Sequence, residues 1–69
     1  LTPARRRSEA ASILTRREWD VAVAAAARDR NREIADRLGL SLRTVENHLA
    51  NAYRKLGVSG RDELRDQLG

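Results

Sequence analysis

Apolar positions in the second half of the chain recur with the period of an α-helix. Val45, Leu49, Ala52 and Leu56 are spaced by four, three and four residues, so they form one stripe on one helix. The positions between them are mostly polar. The pattern therefore predicts an amphipathic helix over about 42–56 whose apolar stripe faces a core.

A shorter helix is predicted just before it, across a three-residue turn. Ala35 is small enough to let two helices cross closely, and Gly39 can take the left-handed conformation that ends a helix. Ser41 then serves as the N-cap of the next helix. A small residue at 35, glycine at 39 and a branched aliphatic residue at 45 form the helix-turn-helix pattern, whose second helix enters the major groove of DNA. A pattern this short also occurs in helical hairpins that do not bind DNA.

A further helix is predicted upstream of the hairpin. Thr15 and Glu18 match a capping box, so this helix begins near Arg16, and its alanine-rich sequence continues to about Arg28. The only large aromatic residue, Trp19, lies off the expected inward stripe. It is either clamped by the N-terminal segment or exposed as a contact for another domain or subunit.

The two ends of the chain each leave two alternatives open. Residues 1–12 are either a frayed linker or a short helix, because Thr2-Pro3 is a suitable helix start but terminal segments are often poorly ordered. At the other end, Ser59 is expected to cap a helix over about 60–68. Leu64 and Leu68 lie four residues apart on it and could serve equally as a core stripe or as a dimerisation seam.

Four separated segments match one known family in the right order and without a gap. They are Leu14-Thr15 with Glu18, Asn31-Arg32-Glu33-Ile34-Ala35, Thr44-Val45-Glu46-Asn47-His48, and Lys55-Leu56-Gly57-Val58 followed by Arg61. On these segments residues 14–64, about three quarters of the chain, resemble the LuxR-type (GerE-like) helix-turn-helix domain of bacterial transcription regulators. The resemblance implies an all-α domain at 13–69 with four helices, the third in the major groove and the fourth commonly mediating dimerisation.

The chain departs from the family pattern on the first of these helices. Relatives usually have a glycine where this chain has Arg28, so the helix is expected to end differently or to run longer. Relatives also usually place leucines where this chain has Ala22, Ala24 and Ala25, which leaves a thinner apolar surface. The resemblance further implies that Arg61 completes a buried or backbone-bound contact.

The polar face of the 42–56 helix supplies candidate DNA contacts. Asparagine can bond twice to adenine, a carboxylate accepts from cytosine N4, and an alanine methyl can contact thymine. The residues expected to read bases are Glu46, Asn47, Ala50 and Asn51, and those expected to bind phosphate are Asn31, Ser41, Arg43, Thr44, Arg54 and Lys55. Asn31 is also the expected N-cap of a 32–38 helix, whose amides would lie near a phosphate. Relatives often have a basic residue where this chain has Glu46. In this chain, Glu46 either reads a cytosine or is neutralised by Arg43.

Composition agrees with a polyanionic partner and argues against catalysis. The net charge is +4, although many of the arginines could simply solvate helix faces. There are no cysteines, and the lone His48 lacks a partner for nucleophilic or metal chemistry, so we expect no enzyme, no cofactor and no metal site. No apolar run reaches the length of a membrane span, and a bacterial cytoplasm is the expected location.

Two functions from different classes are compatible with these features. The first is sequence-specific binding of double-stranded DNA by the output domain of a bacterial transcription regulator, with its regulatory domain upstream of this chain and with homodimerisation through the last helix. The second is a helical protein-interaction module that docks a partner through Trp19 and the alanine-rich helix.

Overall fold

The computed structural model describes residues 9–68, which contain five helical segments and no strand. Residues 9–13 form the first helical segment, α1. The helices that follow are α2 (Arg16–Ala26), α3 (Asn31–Leu38), α4 (Leu42–Leu56) and α5 (Arg61–Leu68). The predicted all-α fold is confirmed, with α2 to α5 as the four expected helices. Residues 1–8, which include the predicted Thr2-Pro3 helix start, lie outside the described residues.

The first turns of α2 and α4 are capped as predicted. The Thr15 hydroxyl accepts a hydrogen bond from the Glu18 amide at 3.2 Å, and the Glu18 carboxylate accepts one from the Thr15 amide at 3.0 Å. At α4, the Ser41 hydroxyl accepts from the Thr44 amide at 3.1 Å. Each cap satisfies amides that have no partner inside the helix, which fixes where the helix begins.

The predicted cap of α3 is wrong. Asn31 is the first residue of the helix, and Arg30 occupies the N-cap position. The carboxylate of Glu33 accepts from the Arg30 amide at 2.8 Å, whereas the side-chain oxygen of Asn31 accepts from the guanidinium of Arg61. Asn31 therefore does not cap α3, because a tertiary contact engages its side chain.

Three helices end in the same backbone conformation. A left-handed residue closes each of them. Gly39 (φ 68°) and Gly57 (φ 69°) directly follow α3 and α4, whereas Arg28 (φ 73°) follows α2 after one further residue, Ala27. The amide of the next residue then bonds to a carbonyl five residues earlier, in the pairs Asp29 to Ala24, Leu40 to Ala35 and Val58 to Tyr53, at 3.1, 2.9 and 3.0 Å. These are Schellman motifs. Because Arg28 adopts the glycine-like conformation, α2 ends at Ala26, earlier than predicted.

Helix α2 is the centre of the domain and packs against α3, α4 and α5. Its small residues Ala22, Ala24 and Ala25 are all buried. The stripe predicted on α4 is confirmed, since Val45, Leu49 and Ala52 are buried and Leu56 is half-buried against the core. The alanines of α2 therefore reduce the apolar area of the core but allow the neighbouring helices to approach closely.

The N-terminal segment packs against this core. Residues 9–13 are helical, and Ala10 and Leu14 are buried, so the described part of residues 1–12 adopts the short-helix alternative. Trp19 is half-buried against the same core. This position agrees with an intramolecular role for Trp19 rather than with a fully exposed contact.

On α5, the structure favours the core-stripe alternative. Leu64 is 0% exposed and Leu68 is 2% exposed within the single chain. Both side chains are therefore part of the core of the single chain. Dimerisation through the last helix stays a prediction.

Candidate nucleic-acid interface

Helix α4 presents the predicted base-reading residues on one face. Glu46, Asn47 and Ala50 are exposed, and Asn51 is half-buried at the edge of that face. Leu42, the first residue of α4, is also 43% exposed, although the sequence pattern did not single it out. The opposite face of α4 packs against the core, so its polar face is held outward by a fixed element.

The side chains predicted to bind phosphate at the two ends of α4 differ in their surroundings. At the start, the Ser41 and Thr44 hydroxyls lie 2.8 Å apart and share a hydrogen bond. Arg43 near the start and Arg54 near the end are exposed, and neither forms an ion pair within residues 9–68. Both guanidinium groups are therefore available to an anion.

Glu46 is not neutralised by Arg43 in this structure. No ion pair joins the two side chains among the described residues, and the Glu46 carboxylate is exposed on the outer face of α4. A carboxylate there repels phosphate but can accept from the N4 amino group of cytosine. Neutralisation of Glu46 by Arg43 is therefore not seen among the described residues, and base reading by Glu46 stays a prediction.

Lys55, the last of the predicted phosphate contacts, has an internal partner. Its Nζ lies 2.7 Å from Oε1 of Glu18, and the Glu18 side chain is buried. The hydrogen bond from Lys55, followed by the one from the Thr15 amide, lowers the pKa of Glu18 below its ordinary value of 4.5. A phosphate at Lys55 would have to compete with this carboxylate. Sequence reasoning missed the pair because Glu18 and Lys55 are 37 residues apart and each had a local explanation.

Arg61 fixes the turn between α2 and α3. Its guanidinium donates to the carbonyl of Asp29 at 2.6 Å and to the side chain of Asn31, which confirms the expected backbone-bound contact. The Asn31 side chain is consequently engaged inside the protein. What remains for a phosphate at Asn31 is its backbone amide at the start of α3, where the helix dipole favours an anion.

The described residues contain neither a cluster of metal-binding side chains nor a helix that could span a membrane. Within residues 9–68, no three His, Asp or Glu side chains come together in a way that could hold a metal ion. His48 is half-buried beside Leu49 on α4. No helix in the same part of the chain is both long and apolar enough to span a bilayer.

The α3–turn–α4 hairpin, with one face in a core and a polar face exposed, defines a helix-turn-helix domain of the DNA-binding type. The family described as bacterial regulatory proteins, luxR family, matches residues 12–67, and the chain belongs to this family. It is a family of DNA-binding regulators rather than a class of enzymes.

Two curated relatives show how the domain is used elsewhere. The chain is 41% identical over 56 residues to the spore germination protein GerE of Bacillus subtilis (strain 168), covering 81% of this chain and 76% of that protein. It is 39% identical over 56 residues to the HTH-type transcriptional regulator MalT of Yersinia pestis (strain Pestoides F), again covering 81% of this chain but 6% of that protein. No solved structure matches the chain.

Proposed function

We propose that this domain recognises a specific double-stranded DNA sequence by placing α4 in the major groove, as the DNA-binding part of a transcription regulator. The observation that carries the proposal is the two-sided character of α4. Val45, Leu49 and Ala52 fix one side to the core, while Glu46 and Asn47 are exposed on the other. Membership of the luxR family supports the same role.

The exposed groups divide into base-reading and phosphate-binding sets. Glu46, Asn47, Ala50 and Asn51 lie where base edges would be read. Arg43 and Arg54, together with the Ser41 and Thr44 hydroxyls and the Asn31 amide, would position the helix by binding phosphates. Lys55 contributes mainly to the fold, because its ammonium group pairs with Glu18.

The proposal is tested by comparing one residue of each set on a duplex selected from random DNA. Arg54→Gln should weaken binding to the selected and to scrambled duplexes by the same factor and should reduce the slope of log K against log salt by about 0.9. Asn47→Ala should instead cost about 1 to 3 kcal/mol on the selected duplex and relax the preference at one base pair. Fluorescence anisotropy across a salt series measures both effects.

The thermal midpoint of each variant is the necessary control, since both side chains are exposed and neither change should unfold the domain. A uniform loss from Asn47→Ala on all duplexes would contradict its base-reading role. If the unsubstituted domain binds duplex DNA no more tightly than a scrambled basic peptide at physiological salt, DNA recognition is wrong. The protein-interaction alternative would then be favoured.

A further inference from the structure

The arginines within residues 9–68 fall into two sets according to their partners. One set has partners within the protein: Arg16 and Arg17 pair with Asp20, Arg37 pairs with Asp29, Arg65 pairs with Asp62, and Arg61 bonds to the Asp29 carbonyl and to Asn31. The other set has no such partner within the described residues and consists of Arg28, Arg30, Arg32, Arg43 and Arg54. All ten Asp and Glu residues lie in the described part of the chain, and none of their carboxylates forms an ion pair with these five guanidinium groups there.

The unpaired arginines are not scattered over the surface. Arg43 and Arg54 lie on the proposed DNA-binding helix, whereas Arg28 and Arg30 lie in the turn between α2 and α3 and Arg32 follows in the first turn of α3. Each of them is exposed. Clustering in a single turn distinguishes Arg28 and Arg30 from arginines that only solvate a helix face.

The turn that carries Arg28 and Arg30 is anchored at several points. Arg61 holds the carbonyl of Asp29 at 2.6 Å, and Arg37 neutralises the Asp29 carboxylate. The carboxylate of Glu33 accepts from the Arg30 amide at 2.8 Å. The Asp29 carboxylate is therefore neutralised by Arg37, while the two guanidinium groups on either side of Asp29 stay exposed on a fixed backbone.

Arg28 also occupies a backbone conformation that favours glycine. Its φ of 73° is left-handed, which costs a residue with a Cβ energy that glycine avoids. Strained positions of this kind cluster at functional sites, where the side chain has a use that offsets the strain. An arginine in this conformation places a cation in a tight turn.

From these observations we infer that Arg28 and Arg30 form a second phosphate-binding site, which grips the DNA backbone beside the groove occupied by α4. The inference rests on the proposed function. In helix-turn-helix docking the first helix of the hairpin crosses the duplex backbone. That helix is α3, and the turn bearing Arg28 and Arg30 leads directly into its N-terminal end. The ligand is a phosphodiester, so this site adds affinity without sequence preference.

The test is the double variant Arg28→Gly with Arg30→Gln, measured in the full chain by anisotropy across a salt series. Each lost phosphate contact should weaken binding about three- to tenfold and reduce the slope of log K against log salt by about 0.9, giving about 1.8 for the double variant. The loss should be equal on selected and scrambled duplexes. The matched control is the double variant Arg16→Gln with Arg17→Gln, which also removes two positive charges, from side chains that are 89% and 45% exposed and pair with Asp20.

Three outcomes would overturn the inference. The first is an unchanged salt slope in the Arg28/Arg30 variant, and the second is an equal loss of affinity in the Arg16/Arg17 variant, which would show that only net charge matters. The third is failure of the unsubstituted domain to bind duplex DNA, which would remove the proposed function as well. A different result is that the unsubstituted domain binds DNA and Arg54→Gln weakens that binding, while the Arg28/Arg30 variant binds as tightly as the unsubstituted domain. That result refutes the second site alone and leaves the proposed function standing. Arg28→Gly should also raise the thermal midpoint, so weaker binding by a more stable protein could not be attributed to unfolding.

Discussion

At the scale of the residue, the carboxylate of Glu18 joins two distant parts of the chain. It caps α2 through the Thr15 amide and accepts a hydrogen bond from Lys55 at the end of α4. Glu18 is 5% exposed, and a charge buried to that extent needs partners to remain ionised. The pKa of Glu18 is lowered, so its partners outweigh the cost of burial.

A pH dependence of stability follows from this lowered pKa. Because the pKa of Glu18 is lower in the folded than in the unfolded state, its contribution is complete above the unfolded value of about 4.5 and is lost as the pH falls toward the folded value. Glu18→Gln should keep a helix cap but leave Lys55 without its charge partner, which costs about 1 to 2 kcal/mol at pH 7, between the values for exposed and buried pairs. Thermal unfolding from pH 7 to 3 should show the two proteins converging below about pH 5.

The control for this experiment is Asp36→Asn, which removes a carboxylate that is exposed on α3 and unpaired within the described residues. It should change stability little at any pH. A gap between Glu18→Gln and the unsubstituted protein that stays constant down to pH 3 would show that the Glu18 charge does not stabilise the fold.

The strain at Arg28 leads to a separate prediction for stability. Arg28→Gly should relieve the cost of a left-handed residue and give up part of that gain to the greater entropy of the unfolded chain. The net effect should be a stabilisation of about 0.5 to 1 kcal/mol, or about 2 to 8 °C in thermal midpoint. Arg32→Gly is the control, because Arg32 lies inside α3, where the helical backbone gains nothing from glycine. An equal rise for both variants would refute the explanation by strain.

At the scale of the element, the ends of the helices were predicted only where the signal is local. The Thr15–Glu18 box and the Ser41 cap depend on residues within one turn, and the structure confirms both. Asn31 was assigned to the wrong position because its partner, Arg61, is 30 residues away. The end of α2 was predicted too late because sequence rules give glycine, not arginine, the left-handed position that Arg28 adopts.

The burial of the α2 alanines leads to a prediction about how closely the helices pack. Ala25 is fully buried in the helix that contacts α3, α4 and α5, so its methyl lies where a larger side chain would force them apart. Ala25→Leu should therefore destabilise the domain by about 1 to 3 kcal/mol through overpacking, although leucine is more apolar. Ala27→Leu, at an exposed position after the helix, is the control and should have little effect. A gain in stability from Ala25→Leu in urea unfolding would mean that the core contains unfilled space.

At the scale of the whole molecule, the exposed face of α4 could be predicted because hydrophobic periodicity alone fixes which side of a helix is buried. The partners of the charged residues could not be predicted, because the charge of a side chain does not tell which groups it will meet after folding. Lys55 was therefore assigned to phosphate although it pairs with Glu18. That Arg28 and Arg30 have no ion-pair partner within residues 9–68 likewise becomes visible only in the folded structure.

The burial of Leu64 and Leu68 on α5 leads to a prediction that separates folding from dimerisation. Leu64 is fully buried in the single chain, and a domain of 69 residues has a total stability of about 3 to 10 kcal/mol. Leu64→Ala should cost about 2 to 5 kcal/mol, which is a large share of that total. Urea unfolding should therefore show severe destabilisation, while Asp66→Ala, on the exposed side of the same helix, should leave stability nearly unchanged. Sedimentation of both variants then separates folding from association. If the unsubstituted protein is a dimer and Leu64→Ala yields a monomer of undiminished stability, Leu64 packs between chains rather than within one.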